Sequence, residues 1–583
     1  MYLSKRPCLS LSFGKLLKAC LNTAFACCGG TFILLSLLTA CGTKIPAEFD
    51  EKDELPCIYP DYVNVTIPVN MAPLTFHLDE EADGMVARYK AGEVEIICAD
   101  QMQPDADDWH ELIHSALLSV DSLLLSDVSP ADKSQSTINN QQSTIQVDVY
   151  ARHGDRWTHY RPFTITVSPD SIDPWLSFRL IPPSYVSYEA LTISQRCLEN
   201  YDERVIYDNM LCGLEKDGQC INCHSYQQYN PERMQFHARQ NHGGTVIAYD
   251  GQLKKVNMKN DSIISAGVYP AWHPWQKLIA YSTNHTHQSF FTTSRDKIEV
   301  YDSMSDLIVY NIDTDEVMNI ENRADELEVF PAWTPDGRTL YYCSAHFERT
   351  DSIEDAAADI VAHYDSLHYY IYRKSFDPET LQFGPRELVL SADSLLLSDV
   401  SPSDTIVTQD PTNVTQHSTL NTQRSALLPR ISPDGRYMLF SVADHGVFHI
   451  WHHDADLWMM DLQKPLTAET TTEGEANPRR LDEVNSPDTE SYHSWSSNGR
   501  WIVFSSRRDD GTFTRPFFAH FNADGHFDKP FELPCADPDY HRQLMKCYNI
   551  PEFMRGPVTI TPQAFAAELK GEGHPVKYIS PNK

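Results

Sequence analysis

The stretch Phe330-Pro-Ala-Trp333-Thr-Pro-Asp336-Gly337-Arg338, followed by the apolar run Leu340-Tyr-Tyr-Cys343, has counterparts elsewhere in the second half of the chain. The related units lie at 269–282, 428–441 and 494–505. Three of the four units contain an Asp-Gly or Asn-Gly pair, which suits a hairpin turn that needs positive φ. Another strand pair follows each unit, at 306–310, 369–373, 456–461 and 516–521. Each repeat therefore predicts four strands, the content of one blade of a β-propeller.

Over about Tyr269–Leu533 these units resemble the repeats of TolB-type β-propellers. A fainter unit at 230–258 precedes them and gives five blades, with six as the alternative because TolB-type propellers commonly have six. We expect blade closure to recruit Cys547–Val558. The propeller is therefore assigned to residues 236–560, and residues 561–583 to a C-terminal helix and tail.

The first half of the chain predicts strands of another domain. Between Asp61 and about Pro183, apolar residues alternate with polar ones, as in Val63, Val65 and Ile67, which is typical of half-buried strands. We assign residues 61–190 to a β-sandwich, so that the whole chain is of the all-β class. Two polar insertions, 115–144 and 391–425, contain the same ten residues, at 121–130 and at 393–402. We expect both insertions to be loop-like and without function.

The N-terminus predicts export. Residues 1–40 contain basic residues but no acidic ones, and a short apolar run ends in Leu38-Thr-Ala-Cys41. That order is typical of a signal peptide, and the ending resembles the bacterial lipoprotein box, in which the cysteine is lipidated. We therefore expect cleavage before Cys41, a tether at 41–60, and a membrane anchor made of the lipid on Cys41. By resemblance to sorted lipoproteins, Gly42 favours the outer membrane, with the protein facing the periplasm or the cell surface.

The acidic composition argues against nucleic acid and anionic membranes as partners and indicates no particular partner. The chain carries a formal net charge of −34 at pH 7, so its surface repels nucleic acid and anionic lipid headgroups. It has no G-x-S-x-G, Walker-type or H-E-x-x-H motif, so the sequence gives no sign of a hydrolase or transferase. An oxidising compartment permits disulfides, and Cys197–Cys212 and Cys535–Cys547 are candidate local pairs.

One motif carries chemistry, within the segment 191–235. In Cys220-Ile-Asn-Cys223-His224, two thiols have the spacing that attaches one haem c, and the adjacent histidine is the usual ligand on one side of the iron. Two other interpretations stay open. The cysteines could form a redox-active or structural disulfide, or they could provide half of a zinc site, although no second ligand pair lies nearby.

The residues around the motif extend the resemblance. The motif with Ser225-Tyr226, the segment 234–239 and His242-Gly-Gly-Thr245 resembles a group of lipid-anchored TolB-like proteins in which a C-x-x-C-H segment opens the first blade. The resemblance implies one haem c and an envelope location, but no particular reaction. For the second axial position we rank His237 first and Met234 second, with His242 also within reach.

A second polar cluster contains His445, His449, His452, His453, Asp454 and Asp456. It could hold a metal, but the surrounding pattern indicates ordinary loop histidines before a strand.

Two classes of function compete. In the first, the protein transfers electrons through one haem and docks a redox partner at the propeller. In the second, it is a non-enzymatic module that binds a protein partner or assists assembly, and the haem is structural or sensory, or the motif is a disulfide.

Overall fold

A computed structural model describes residues 43–100, 103–126, 143–183, 190–212, 218–348, 355–391, 423–466 and 477–580. Cys41, the second decapeptide at 393–402 and the end of the first at 127–130 lie outside these ranges. The described residues from Ile45 onward form one compact unit. No described helix is both long enough and apolar enough to cross a bilayer.

The N-terminal region is built from nine strands and one helix. The strands are β1 (Asp50–Lys52), β2 (Ile58–Tyr59), β3 (Thr66–Pro68), β4 (His77–Leu78), β5 (Gly84–Ala91), β6 (Val94–Ala99), β7 (Thr144–His153), β8 (Arg156–Tyr160) and β9 (Phe163–Ser168). The helix is α1 (Ala106–Ser126). Seven of the strands form one branched sheet in the order β1-β8-β7-β5-β6, with β9 also pairing β7 and β3 pairing β9. Strands β2 and β4 form a separate two-stranded sheet.

The predicted β-sandwich is not what these strands form. Helix α1 packs on β5, β6 and β7 and buries Trp109, Leu112 and Ile113 against the sheet. A helix therefore covers the main sheet where a second sheet of comparable size was expected. The predicted polar insertion 115–144 also begins inside this helix, and Ala116 is fully buried. The tether is shorter than predicted, because β1 pairs in parallel with β8.

The remaining strands form the propeller. They are β10 (Trp175–Ile181), β11 (Thr192–Cys197), β12 (Glu203–Asp208), β13 (Gln219–Tyr226), β14 (Arg233–Gln240), β15 (Gly244–Tyr249), β16 (Gln252–Asn257), β17 (Gly267–Trp272), β18 (Leu278–Phe290), β19 (Ile298–Asn311), β20 (Glu316–Glu321), β21 (Glu326–Trp333), β22 (Thr339–His346), β23 (Tyr370–Asp377), β24 (Gln382–Leu390), β25 (Ser425–Ile431), β26 (Tyr437–Ala443), β27 (Asp456–Asp461), β28 (Arg479–Arg480), β29 (Glu490–Trp495), β30 (Trp501–Ser506), β31 (Arg515–His520), β32 (Phe531–Glu532), β33 (Cys547–Met554), β34 (His574–Pro575) and β35 (Lys577–Tyr578).

Successive groups of four strands are arranged around a central channel, which makes the second part of the chain a β-propeller. In five of the groups, the four strands are antiparallel and the first strand lies innermost, as in β25-β26-β27-β28 and β29-β30-β31-β32. The innermost strands β13, β17, β21, β25, β29 and β33 each contact the next, and β33 contacts β13. The ring is therefore closed. The short strands β34 and β35 add to the outer edges of β16 and β20.

The sheet that closes the ring combines the two ends of the propeller. Strand β33 pairs with β10, and the order continues through β11 to β12. The predicted recruitment of the segment after Cys547 is confirmed. Strand β10, however, was assigned to the N-terminal domain by the boundary at residue 190, and it belongs to the propeller instead. The 191–235 segment likewise supplies β11 and β12 to the closing sheet and β13 to the next one.

The repeated sequence motif has a structural reason. In the three units that contain a tryptophan, its indole N–H donates to the preceding innermost strand: Trp333 to the carbonyl of Ala271 at 3.2 Å, Trp495 to that of Arg430 at 3.2 Å, and Trp272 to the hydroxyl of Ser225 at 3.1 Å. In the turns that follow, Asp336 accepts from the backbone N–H of Arg338 at 3.0 Å, and Gly337 adopts φ 67°. The motif therefore joins neighbouring blades and turns the chain into the second strand, as the Asp-Gly pairs predict.

The described residues also form three further α-helices. They are α2 (Ala356–His363), α3 (Tyr540–Gln543) and α4 (Pro562–Lys570). Helix α4 is the predicted C-terminal helix. Thr561 caps its N-terminus, and Phe565 and Leu569 pack into the apolar cluster that also contains Ile221 and Phe236.

Candidate functional site

All six innermost strands share one irregularity. In each, a residue with positive φ begins a β-bulge, where two residues oppose one on the neighbouring strand. The positive-φ residues are Cys223 (55°), Tyr269 (49°), Phe330 (51°), Leu428 (58°), Tyr492 (47°) and Ile550 (54°). We call these residues the bulge ring. Four of the six are followed by proline, and Cys223 and Tyr492 are followed by His224 and His493.

The bulge ring narrows the channel. Its six side chains line a cavity of about 50 Å³, and Cys223 is one of them. On one side, before the bulges, lies a cavity of about 200 Å³ that we call the roofed mouth. On the other side, after the bulges, lies a wider cavity of about 330 Å³ that we call the open funnel. The C-x-x-C-H segment is thus part of the channel wall.

The two cysteines of the motif have different surroundings. Cys220 is half-buried and lines the roofed mouth with Asn222, Arg179 and Arg239. Cys223 is buried at the constriction, and burial raises the pKa of its thiol. The side-chain oxygen of Asn222 accepts from the backbone N–H of Cys223 at 2.9 Å and also from Arg179, which holds the bulge in place.

His224 lies on the opposite face of β13 from Cys220. In the register, Cys220 pairs with Arg239 and Asn222 pairs with His237, so these four residues share one face. His224 is buried towards Ser177 and Ile550 of the closing sheet, and neither of its ring nitrogens has a hydrogen-bond partner. Burial, assisted by the positive charge of Arg179, lowers the pKa of its imidazole to about 3.

The predicted second ligands are not brought opposite His224. His237 points to the Cys220 face, and its Nδ1 lies 3.1 Å from the hydroxyl of Thr245. Met234 pairs with Tyr226 on the His224 face, but it is fully buried in an apolar cluster. His242 has φ 56° and lies in the turn between β14 and β15.

In this arrangement the residues do not fit a haem. Covalent attachment requires both thiols at the edge of one macrocycle and the histidine at its iron. Here Cys220 and His224 are on opposite faces of a strand, and His224 and His237 cannot ligate one iron. The two cavities that residues of the motif itself line, of about 50 and 200 Å³, are also smaller than the roughly 300–1,000 Å³ of small-molecule sites.

The orphaned imidazole of His224 is not specific to the motif. His493 occupies the same position after its bulge, is equally buried, and has no hydrogen-bond partner at either ring nitrogen. Burial, together with Arg430, lowers its pKa to about 3 as well. Strand β29 has no cysteine, so the buried histidine is a property of this position in the strand.

The predicted disulfides are not formed. None of the nine cysteines in the described part of the chain is joined to another. The thiol of Cys212 accepts from the hydroxyl of Tyr207 at 3.0 Å, and Cys535 Sγ lies 3.5 Å from Nε2 of His541. The four cysteines of the two proposed pairs are all buried.

Of the six residues in the second polar cluster, only His445 and His452 meet at one point. His445 and His452 approach Glu299, whereas His453 contacts Asp296 with its Nδ1 at 3.0 Å and the Nδ1 of His449 lies 3.1 Å from the Ser441 hydroxyl. Asp454 accepts from the backbone N–H of Asp444, and Asp456 accepts from Arg480. Sequence analysis missed Glu299, because it lies on another blade and no local pattern marks it.

Comparisons with known proteins leave the family open. No family model and no curated protein matches the chain. Among solved structures, prolyl oligopeptidase B from Galerina marginata aligns with 8% identity and a TM-score of 0.29, covering 78% of this chain and 54% of that one. Oligogalacturonate lyase in complex with manganese aligns with 12% identity and a TM-score of 0.25, over 65% and 86% of the two chains. A DUF4784 family protein from Bacteroides caccae aligns with 5% identity and a TM-score of 0.25, over 85% and 100%.

The buried histidine after the bulge predicts acid sensitivity. His493 is neutral in the folded chain but gains a proton in the unfolded chain below about pH 6.5, so the free energy of unfolding should fall as pH drops towards 3. His493→Pro introduces proline, the residue that follows the positive-φ residue in four of the other innermost strands. We expect it to flatten this decline by about 1 kcal/mol per pH unit between pH 6 and 4. Urea unfolding at several pH values measures the slope, and the exposed His114→Asn is the control. An unchanged slope in His493→Pro would refute the assignment.

Proposed function

We propose that this protein is an exported, lipid-anchored, TolB-like β-propeller that binds an extended segment of a protein partner in its open funnel and catalyses no reaction. The observation that carries the proposal is the shape and lining of that funnel. Its volume of about 330 Å³ is in the range of ligand sites, and the bulge ring closes its floor. An extended segment can therefore enter the funnel but cannot pass through the channel.

The lining of the funnel suits a peptide. Aromatic side chains surround it, and Trp275 is 69% exposed although its indole N–H donates to the carbonyl of Pro335 at 2.9 Å. Exposed, pre-oriented tryptophan is typical of the residues that dominate binding energy at interfaces. Arg430 and Glu552 form an ion pair at 3.0 Å on the same wall, which provides both a donor and an acceptor for a partner's backbone.

The export assignment rests on the sequence. The basic, acid-free segment before Cys41 supports cleavage and lipidation there, and Gly42 supports the outer membrane. The innermost strands among the described residues number six, which supports the six-bladed TolB-like alternative over five blades. The strongly acidic surface supports a protein partner over nucleic acid.

The funnel proposal is tested with peptides selected by display on the purified mature chain. We expect extended peptides whose affinity falls at least tenfold in Trp275→Ala, because a tryptophan at the centre of an interface carries much of its binding energy. Leu388→Ala is the matched control, since Leu388 is 55% exposed on the outermost strand β24. Isothermal titration measures both. Equal affinities for the wild type and Trp275→Ala would refute binding in the funnel.

The C-x-x-C-H sequence itself supports a second proposal, a monohaem c-type protein that transfers electrons at the outer membrane. This proposal requires β13 to leave the ring before Cys220, Cys223 and His224 can meet one haem. Co-expression with cytochrome c maturation machinery, followed by haem staining of a denaturing gel, tests it. The bulge-ring arrangement predicts no stained band, with Cys220→Ser/Cys223→Ser as the blank. Haem that stays with the wild-type chain alone would establish the second proposal instead.

A further inference from the structure

Three side chains from two blades meet at one buried point. Glu299 lies at the start of β19, and His445 and His452 lie in the loop between β26 and β27. Oε2 of Glu299 is 2.9 Å from Nε2 of His452 and 3.7 Å from Nε2 of His445, and the three ligand atoms lie within 4.8 Å of one another. Glu299 and His452 are almost fully buried, and the side chain of His445 is 25% exposed.

The spacing of these atoms suits a metal ion. In a tetrahedral zinc site with bonds near 2.1 Å, neighbouring ligand atoms are about 3.4 Å apart. Separations of 2.9 and 3.7 Å bracket that value. Two histidines and one glutamate are also a ligand set that binds zinc in proteins and leaves a fourth position for water or another ligand.

Oε2 of Glu299 and Nε2 of His452 share a hydrogen bond at 2.9 Å, but other polar atoms of the cluster lack partners. Oε1 of Glu299 and Nε2 of His445 are buried and accept or donate no hydrogen bond. A buried charged or polar atom without a partner is unfavourable, so a ligand is expected there.

The position of the cluster gives it a consequence for the channel. The end of β18 and the start of β19 form a long hairpin, and Gln288 and Val300 of this hairpin line the roofed mouth with Phe448 of the β26–β27 loop. Ile298 and Val300 pack against Ile450 and Trp451 of that loop. The β18–β19 hairpin and the β26–β27 loop together therefore cover the roofed mouth next to Cys220. Glu299 of the hairpin contacts His445 and His452 of the loop, so these three side chains connect the two segments.

We propose that Glu299, His445 and His452 bind one divalent transition-metal ion, best matched by zinc, which fastens the β18–β19 hairpin to the β26–β27 loop over the roofed mouth. The site is independent of the funnel, and it is also independent of the two cysteines of the C-x-x-C-H motif.

The test uses the mature chain after chelator treatment, titrated with Co²⁺ and then with Zn²⁺. We expect one equivalent of Co²⁺ to bind with visible d–d absorption and without a strong near-ultraviolet thiolate band. One equivalent of Zn²⁺ should displace it and raise the melting temperature. Glu299→Gln and His445→Ala should each weaken Zn²⁺ binding at least a hundredfold and abolish the thermal shift, because each removes one of three ligands.

Two controls separate this site from the alternatives. His453→Ala removes the contact with Asp296, which also joins loop and hairpin, yet His453 is not one of the three ligands, so its Zn²⁺ affinity should stay within twofold of the wild type. Cys220→Ser/Cys223→Ser should also bind Zn²⁺ as the wild type does. Binding lost in the cysteine variant with a thiolate band in the wild type would overturn the proposal, as would wild-type affinity in Glu299→Gln.

Discussion

The bulge ring is the constraint on which the rest of the propeller depends. Six residues with side chains adopt positive φ at equivalent points of the innermost strands, including the β-branched Ile550. Such a conformation costs on the order of 1–3 kcal/mol per residue and persists only where the surroundings enforce it. Here the enforcement is mutual, because each innermost strand packs between two others and the ring is closed. No single blade has the neighbours needed to hold its own bulge.

The ring also decides what the C-x-x-C-H segment can do. The bulge places Cys223 at the constriction of the channel, and His224, which also lines the small cavity there, is buried towards the closing sheet. The other five innermost strands carry the same bulge, with proline in four of them and His493 in the fifth at the position of His224, so the backbone geometry at Cys223 and His224 follows from the fold. The C-x-x-C-H motif predicts haem attachment where it lies in an exposed segment. Here it lies in the wall of the channel, with Cys220 half-buried and Cys223 buried.

Much of the propeller could be predicted from the sequence, because its signals are local. The Asp-Gly turns and the tryptophans that join neighbouring blades repeat at fixed offsets. The closing sheet could not be fully predicted, since it combines β10 with β33 from nearly the other end of the chain. The sandwich prediction was wrong because period-two strands do not reveal what covers them, and helix α1 lies at the start of a segment that looks polar.

The candidate sites depended on information that the sequence does not carry. The number of residues between His224 and His237 does not reveal on which face of the sheet each side chain lies. The bulge between Asn222 and Ser225 also interrupts the alternation of faces along β13. Glu299 meets His445 and His452 only because the hairpin and the loop cross blades. The sequence shows which residue types have the necessary chemistry, whereas the groups that they form are visible only in three dimensions.

The most direct test of this account is the reactivity of the cysteine thiols in the folded, reduced protein. A short pulse of iodoacetamide, followed by mass spectrometry of the peptides, compares Cys220 and Cys223 with the exposed Cys57. The account predicts fast labelling of Cys57, slower labelling of half-buried Cys220, and protection of Cys223 until guanidinium unfolds the chain, because burial both excludes the reagent and raises the thiol pKa. Labelling of Cys223 at the rate of Cys57 would contradict it and show that β13 is not held in the bulge ring.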